Sequence, residues 1–290
     1  MSRLRIANYY ENRLGRNDGN PLYMWNAFKN FHKDIESGHL LPTGNIDGFG
    51  TWDLHFEADW GEDALAGILP YTSIDIPKPS AFWHSDTHLG YDWRLAKAKK
   101  TDFNFVCQKR AVEEFKRDGI PNPIWMPHAV EPMAYPHIPC IKKYDLGFVG
   151  HINSQNRIDA LDRMFKEFPN FFWGKRLFEE AAEKYCQSKV VFNISIEDDI
   201  NMRTFEALST KSFLLTNWIP TLEELFTDGV HLVTYKTLDE AVDKAKYYIA
   251  HDEEREKIAE AGFNEVRSKH TFKHRVEQVL KETGLLEKLK

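Results

Sequence analysis

A few short stretches concentrate the side chains that could do chemistry. The richest is Asn193-Ile-Ser-Ile-Glu-Asp-Asp-Ile-Asn-Met-Arg-Thr-Phe-Glu206. A strand ends at its start, an acidic polar loop follows, and a helix begins near Met202. Asn201 and the backbone beside it then face the crevice outside the carboxyl end of a sheet, where open α/β folds hold ligands. Arg203 in the first helical turn opposes the helix dipole, so a cation there makes most sense facing an anion. Glu206 precedes an apolar helix face and the apolar run Phe213–Thr216, and a carboxylate in that setting needs a hydroxyl or a cation as partner. The plain alternative is an Arg203–Glu206 surface pair at helical spacing. A second stretch, Gly150-His151-Ile-Asn153-Ser154-Gln155 followed by Arg157, has strand–glycine–helix form. Such a turn offers backbone N–H groups to phosphate, or is an ordinary βα turn. In a third, His84-Ser-Asp86-Thr-His88, polar groups at alternate positions share one face if the strand continues. Imidazole and carboxylate together could ligate a metal; the other reading is a loop capped by Asp86 with His88 at the surface. Asp59, at another strand end, is a lesser candidate.

The elements that must position these groups alternate along the chain. Arg3–Tyr9, Trp52–Ala58, Ala81–His84, Phe103–Cys107 and Ile124–Met126 read as strands. Leu22–Ile35, Tyr91–Lys100 and Arg110–Asp118 read as helices, the last closed by Gly119, and residues 36–51 as a glycine-rich loop. Pro127–Pro139 holds four prolines and breaks every period, which marks a linker. After it, strands over Asp145–Val149, Asn170–Trp173, Val190–Ile194, Phe213–Thr216 and Val230–Val233 alternate with helices over Asn156–Phe168, Leu177–Ser188, Met202–Ser209, Leu222–Phe226 and Leu238–His251. Helices over Glu253–Ser268 and from Thr271 to the end close the chain, with Thr271 as N-cap. Strand–helix alternation on both sides of the prolines predicts an α/β protein with parallel sheets in tandem domains, 1–135 and 136–290.

Composition narrows the class. A chain of 290 residues holds roughly two domains. With 42% hydrophobic and 28% charged residues it is not globally disordered. A net charge of -6 argues against nucleic-acid binding through bulk electrostatics. Cys107, Cys140 and Cys186 are too scattered for a disulfide framework or thiolate metal site, and each reads as a small core residue in a reducing compartment. The sequence shows neither a signal-peptide stretch nor a run of roughly 18 apolar residues, so a cytoplasmic protein is expected. Trp25, Trp52, Trp60, Trp83, Trp93 and Trp125 all precede the prolines; they stack on sugar or base faces, or are core.

The segments NMRTFEAL, FLLT, LEELF, EER-KIAEAG and HTFKHRV, in that order between about Tyr144 and Val279, resemble the C-terminal domain of CgeB-type (spore-maturation-protein-like) glycosyltransferases. These are GT-B enzymes similar to the retaining family 4 transferases. AFWHSDTH and WMPHAVEP resemble the same family in the first half. The resemblance implies two Rossmann-like domains facing across a cleft, with the last helix, about 271–290, packing back across the hinge. It implies a hexosyltransferase that takes a nucleotide diphosphate sugar, a UDP-sugar first among them, and passes the sugar to an acceptor with retention of configuration. The family's acidic pair falls on Asp198 and Glu206, with Asp198 standing where Glu is usual. Glu206 would bond the donor ribose and Asp198 would lie near the sugar hydroxyls. Backbone N–H groups at Ile200, Asn201 and Met202 would meet sugar and diphosphate, with Gly150 and His151 beside the same phosphates. Arg157 or Arg203 would neutralise the leaving group. Asp86 and His88 become acceptor-contacting or base-like groups, and Gly19-Asn20 resembles the glycine loop that approaches donor phosphate or acceptor. Helix dipoles and cations stand in for a metal, so no metal and no cofactor beyond the donor substrate are expected. The acceptor is open: a glycan, a protein, a small molecule or a modified DNA base. A non-catalytic sugar-nucleotide or glycan binder and a nucleotide-sugar epimerase are the competing readings.

Overall fold

A computed structural model describes residues 3–9, 19–40, 51–59, 76–152, 154–196 and 199–290. The chain forms two compact units: Met1–Pro127 with Phe272–Lys290, and His128–Thr271. Each is a Rossmann-like α/β layer structure.

The first unit holds a six-stranded parallel sheet of β1 (Leu4–Tyr9), β2 (Ile35–Leu40), β3 (Leu54–Ala58), β4 (Ser80–His84), β5 (Phe103–Val106) and β6 (Ile124–Trp125), in the order β2-β1-β3-β4-β5-β6. Its helices are α1 (Asn20–Phe31), α2 (Tyr91–Ala98), α3 (Lys109–Arg117) and α9 (Phe272–Glu282). A parallel sheet is covered on both faces, so its strands lose the in–out alternation of polarity. Every residue of Leu54-His-Phe-Glu-Ala58 and of Ser80-Ala-Phe-Trp-His84 is buried. β3 therefore carries His55 and Glu57 into the interior, where Glu57 meets Lys97 of α2 at 2.6 Å.

The second unit holds a five-stranded parallel sheet of β7 (Tyr144–Val149), β8 (Phe171–Gly174), β9 (Ser188–Asn193), β10 (Leu214–Asn217) and β11 (Val233–Tyr235), in the order β11-β10-β9-β7-β8. Neighbouring residues of one strand serve opposite cores. Phe148, Phe192 and Leu215 pack with Leu161 and Met164 of α4 (Gln155–Glu167) and Ala241 of α7 (Leu238–Ala250). Val149, Val191 and Leu214 pack with Tyr185 of α5 (Phe178–Gln187) and with Phe205 and Leu208 of α6 (Met202–Ser209). α8 (Asp252–Lys269) adds Val266 to the second core.

Most elements match the periodic reading to within a residue or two. The exceptions have physical causes. The helix read over Leu22–Ile35 stops at Phe31, and Ile35 with residues 36–40, read as loop, forms β2: Ile35–Leu40 pairs in register with Leu4–Tyr9. Tertiary pairing overrides the weak strand propensity of Glu36-Ser-Gly38. The strand expected over Val230–Val233 begins only at Val233, because Gly229-Val-His231 is a turn closed by Gly229 N–H to Leu232 O at 2.8 Å. The proline run divides the units at Pro127–His128 instead of at 135, since Val130 and Tyr135 belong to the second unit's core. Val130 N–H also bonds His270 O at 3.0 Å. α9, the helix expected to pack back across the hinge, clusters with the first unit, where Phe272 packs on Tyr23 of α1 and on Trp83.

Candidate functional site

In the second sheet the chain leaves β7 toward β8 on one side and reaches β9 on the other. The strand order reverses there, and such a switch point opens a crevice outside the carboxyl ends of the two strands. Gly150 follows β7, and Ile194 follows β9. Two helices begin at this edge, α4 with N-cap Ser154 and α6 with N-cap Asn201, and neither has an acidic residue in its first turn. Their N-terminal N–H groups make a partial positive charge.

Arg203 ties the two strand ends together. Its Nε donates to Val149 O, its Nη1 donates to Asn193 Oδ1 at 2.7 Å, and its guanidinium stands 4.3 Å over the Phe148 ring. Gly150 makes this possible: with φ at +152°, a Cβ there would run into the Arg203 guanidinium. The glycine is the cradle of the guanidinium. Burial lowers the Arg203 pKa, with Tyr185 and Glu206 acting in the opposite direction. The surface-pair reading of Arg203 does not hold, because the side chain turns into the sheet. Arg157, 6% exposed, is a second clasp. Its Nη1 donates to His151 O at 2.9 Å and its Nη2 to Ile194 O at 3.2 Å, so it joins the loops after β7 and β9.

Asn193 is the hub that pattern reading missed. Fully buried at the end of β9, it accepts from Arg203 and from Asn201 Nδ2 (3.2 Å). It donates to Thr216 Oγ1 at 3.0 Å. Its carbonyl accepts from Tyr235 Oη at 2.9 Å. Asn201 caps α6 through Oδ1 to the Thr204 N–H at 3.3 Å. Ile200, a candidate for its backbone, places its side chain in the core. Met202 is half-buried, and His151 is exposed. Glu206 accepts from Tyr185 Oη at 3.2 Å. Burial, and then the Glu206 carboxylate, hold the Tyr185 phenol well above its ordinary range, so it stays a donor. The expected hydroxyl partner of Glu206 is thus Tyr185, a residue that no helical or strand spacing could have pointed to. Asp198 and Asn153 lie outside the described residues.

In the first unit, the loop after β4 carries Asp86 and His88. The strand ends at His84, so the three polar groups do not share a strand face. His84 is fully buried against Phe82 and Phe115, with Nε2 on Asn104 Oδ1 at 2.9 Å. Burial pushes its pKa down to about 3, which keeps it neutral. Asp59 anchors the loop: its Oδ2 accepts from Ser85 N–H at 3.2 Å and from Arg94 Nε at 2.6 Å, with both charged side chains fully buried. Arg94 Nη1 in turn holds Leu89 O. Gln108 Oε1 takes the Thr87 N–H and Oγ1 at 3.2 and 3.1 Å. Asp59 is therefore the loop's anchor. Between these anchors Asp86 is held at φ +46°, in the left-handed region. Such strain in a non-glycine residue at a strand end is common at functional loops. Gly19 and Asn20 form the N-terminus of α1, Gly19 at φ +111° and Asn20 buried, with no acidic residue in the first turn.

Residues 154–281 match a family model described as glycosyl transferase-like. No curated protein sequence matches the chain. Among solved structures, HepE of Anabaena, captured with UDP and glucose, aligns over 96% of this chain and 100% of its own at 11% identity, with a TM-score of 0.66. Sucrose-phosphate synthase of Thermosynechococcus elongatus aligns over 82% of this chain and 75% of its own at 11% identity, TM-score 0.57. The pneumococcal O-GlcNAc transferase GtfA, in complex with UDP and GlcNAc, aligns over 81% of this chain and 57% of its own at 14% identity, TM-score 0.53. The fold is GT-B. The chain thus carries a glycosyltransferase-like domain, most of it in the second unit, with a second Rossmann-like unit beside it in sequence. No helix among the described residues is long and apolar enough to cross a membrane.

Proposed function

We propose that the chain is a glycosyltransferase of the CgeB type that moves a hexose from a UDP-sugar to an acceptor nucleophile, with retention of configuration and without a divalent metal. The carrying observation is the second sheet's switch point, where two helix N-termini and two clasped guanidinium groups converge on the ends of β7 and β9. As the bond from the anomeric carbon to the diphosphate breaks, negative charge grows on the departing phosphate. Donors fixed in advance by Val149, Asn193 and Gly150 stabilise that charge without reorganising during the reaction. The α4 and α6 N-termini supply N–H groups to the two phosphates. Glu206, its orientation fixed by Tyr185, accepts from the ribose hydroxyls, and Asp198 attends the donor sugar. Asp86 and His88 serve the acceptor, His88 as the group that takes its proton. UDP and glucose in HepE, and UDP and GlcNAc in GtfA, favour a uridine nucleotide here.

Calorimetric titration with UDP, UDP-glucose, UDP-GlcNAc and GDP-mannose tests the reading, followed by the same series on Glu206→Ala. Uridine nucleotides are expected to bind, and Glu206→Ala to weaken them roughly 10- to 100-fold, the worth of one or two charge-assisted hydrogen bonds. Absence of binding by every nucleotide sinks the donor site. Incubation of the bound donor alone, with products read by mass spectrometry, separates slow hydrolysis by a transferase from epimerisation and from inert binding.

A further inference from the structure

Of the cysteines, only Cys107 and Cys186 are buried; Cys140 is exposed, against the expectation of a core thiol. The segment that carries Cys140 runs against Cys186 and the two residues after it. The approach is built from both sides of Cys140. Ile138 N–H donates to Cys186 Sγ at 3.4 Å. Lys142 Nζ donates to Ser188 O at 3.1 Å, and Lys143 N–H to Gln187 O at 2.7 Å. The chain entering β7 is thus pinned along the end of α5 and the start of β9, with Cys140 between the pins. Cys186 Sγ also donates to Thr210 O at 3.4 Å, at the carboxyl end of α6.

We infer that Cys140 and Cys186 are a redox pair that closes to an intramolecular disulfide on exposure to hydrogen peroxide. The exposed Cys140 thiolate attacks the peroxide, breaks the O–O bond and becomes a sulfenic acid, releasing one water. The Cys186 sulfur then attacks the Cys140 sulfur, the S–O bond breaks, and a second water leaves. Both thiols lose their protons and one hydrogen peroxide is reduced to the two waters. Burial raises the pKa of both thiols, and the thiolate is the attacking form, so closure is slow at neutral pH and accelerates as pH rises. The bond would fasten the lead-in to β7 onto α5 and draw Cys186 away from Thr210. Cys186 follows Tyr185, so the oxidised state bears on the helix that positions Glu206. The thiol chemistry itself does not depend on the proposed activity.

The test is peptide mapping without reduction, on the full chain treated with hydrogen peroxide and then alkylated. The expected result is one cross-linked peptide joining Cys140 to Cys186, with Cys107 alkylated as a free thiol. Its yield per minute should rise several-fold between pH 7 and pH 9. Cys186→Ser should leave Cys140 as a sulfenic acid captured by dimedone, and Cys140→Ser should abolish the cross-link. Cys140 driven to sulfinic or sulfonic acid beside an intact Cys186 thiol overturns the inference, as does a chain-to-chain disulfide through Cys140.

Discussion

Asn193→Ala removes the acceptor of Arg203 Nη1 (2.7 Å) and of Asn201 Nδ2 (3.2 Å), and the donor to Thr216 Oγ1 (3.0 Å), at a fully buried position. A charged donor left unpaired in the interior costs about 1.5–3 kcal/mol and each neutral bond about 1 kcal/mol, for a total of roughly 3–5 kcal/mol. For a unit the size of His128–Thr271 that lowers Tm by roughly 10 °C. Asn193→Asp is the informative control. It keeps the acceptor geometry, sets a carboxylate on the guanidinium, and lets the Thr204 and Thr216 hydroxyls turn to donate. Most of the lost stability should return. The same carboxylate neutralises a cation that faces the proposed diphosphate, so UDP affinity should fall more than tenfold. Differential scanning calorimetry reads stability and titration calorimetry reads affinity. Equal melting loss in the Ala and Asp variants would refute the claim that Arg203 is the partner that matters. Asp binding UDP as tightly as wild type would refute the claim that Arg203 serves an anion.

Other outcomes follow from the first unit and from the metal expectation. Glu57 is buried beside Lys97; burial, opposed by Lys97, raises its pKa from 4.5 to about 7. A raised folded pKa means stability present at pH 4.5 and lost as pH climbs to 7, by up to about 3 kcal/mol; urea melts of Glu57→Gln should show that slope flattened. His84 works in the other direction, losing stability as pH falls below 6.5 toward 3, and His84→Gln should reduce the acid sensitivity of the first unit. Asp59→Ala strands the buried Arg94 charge and should cost about 3–5 kcal/mol, while Asp59→Asn retains an acceptor and should cost less in the same melts. UDP affinity measured with and without excess EDTA should agree, and a loss with chelator would defeat the metal-free reading.

What the sequence determined by itself was local. Periodic apolar runs and the glycines after them placed nearly every strand and helix, because 3.6- and two-residue repeats are properties of neighbouring residues. Arg203 and Glu206 were legible as a cation and a carboxylate in the first turns of one helix, at the end of a strand that had to open on a crevice. Tertiary structure decided their partners. Val149, Asn193 and Tyr185 reach Arg203 and Glu206 only because β7, β9 and α5 converge at a reversal of strand order, and nothing in the spacing of residues 193–206 encodes that reversal. The same holds for β2, whose Glu36-Ser-Gly38 is a strand only because β1 pairs with it. It holds for Glu57, on a strand that both sheet faces bury, and for Asp59 just past its end, given meaning by Lys97 and Arg94 on α2. Cys140 and Cys186 looked like unrelated core thiols until the fold pinned the backbone on both sides of Cys140 to Cys186 and Gln187. Short-range repetition fixes which elements form, whereas charge pairing and burial are properties of surfaces that meet only after the chain has crossed its sheet.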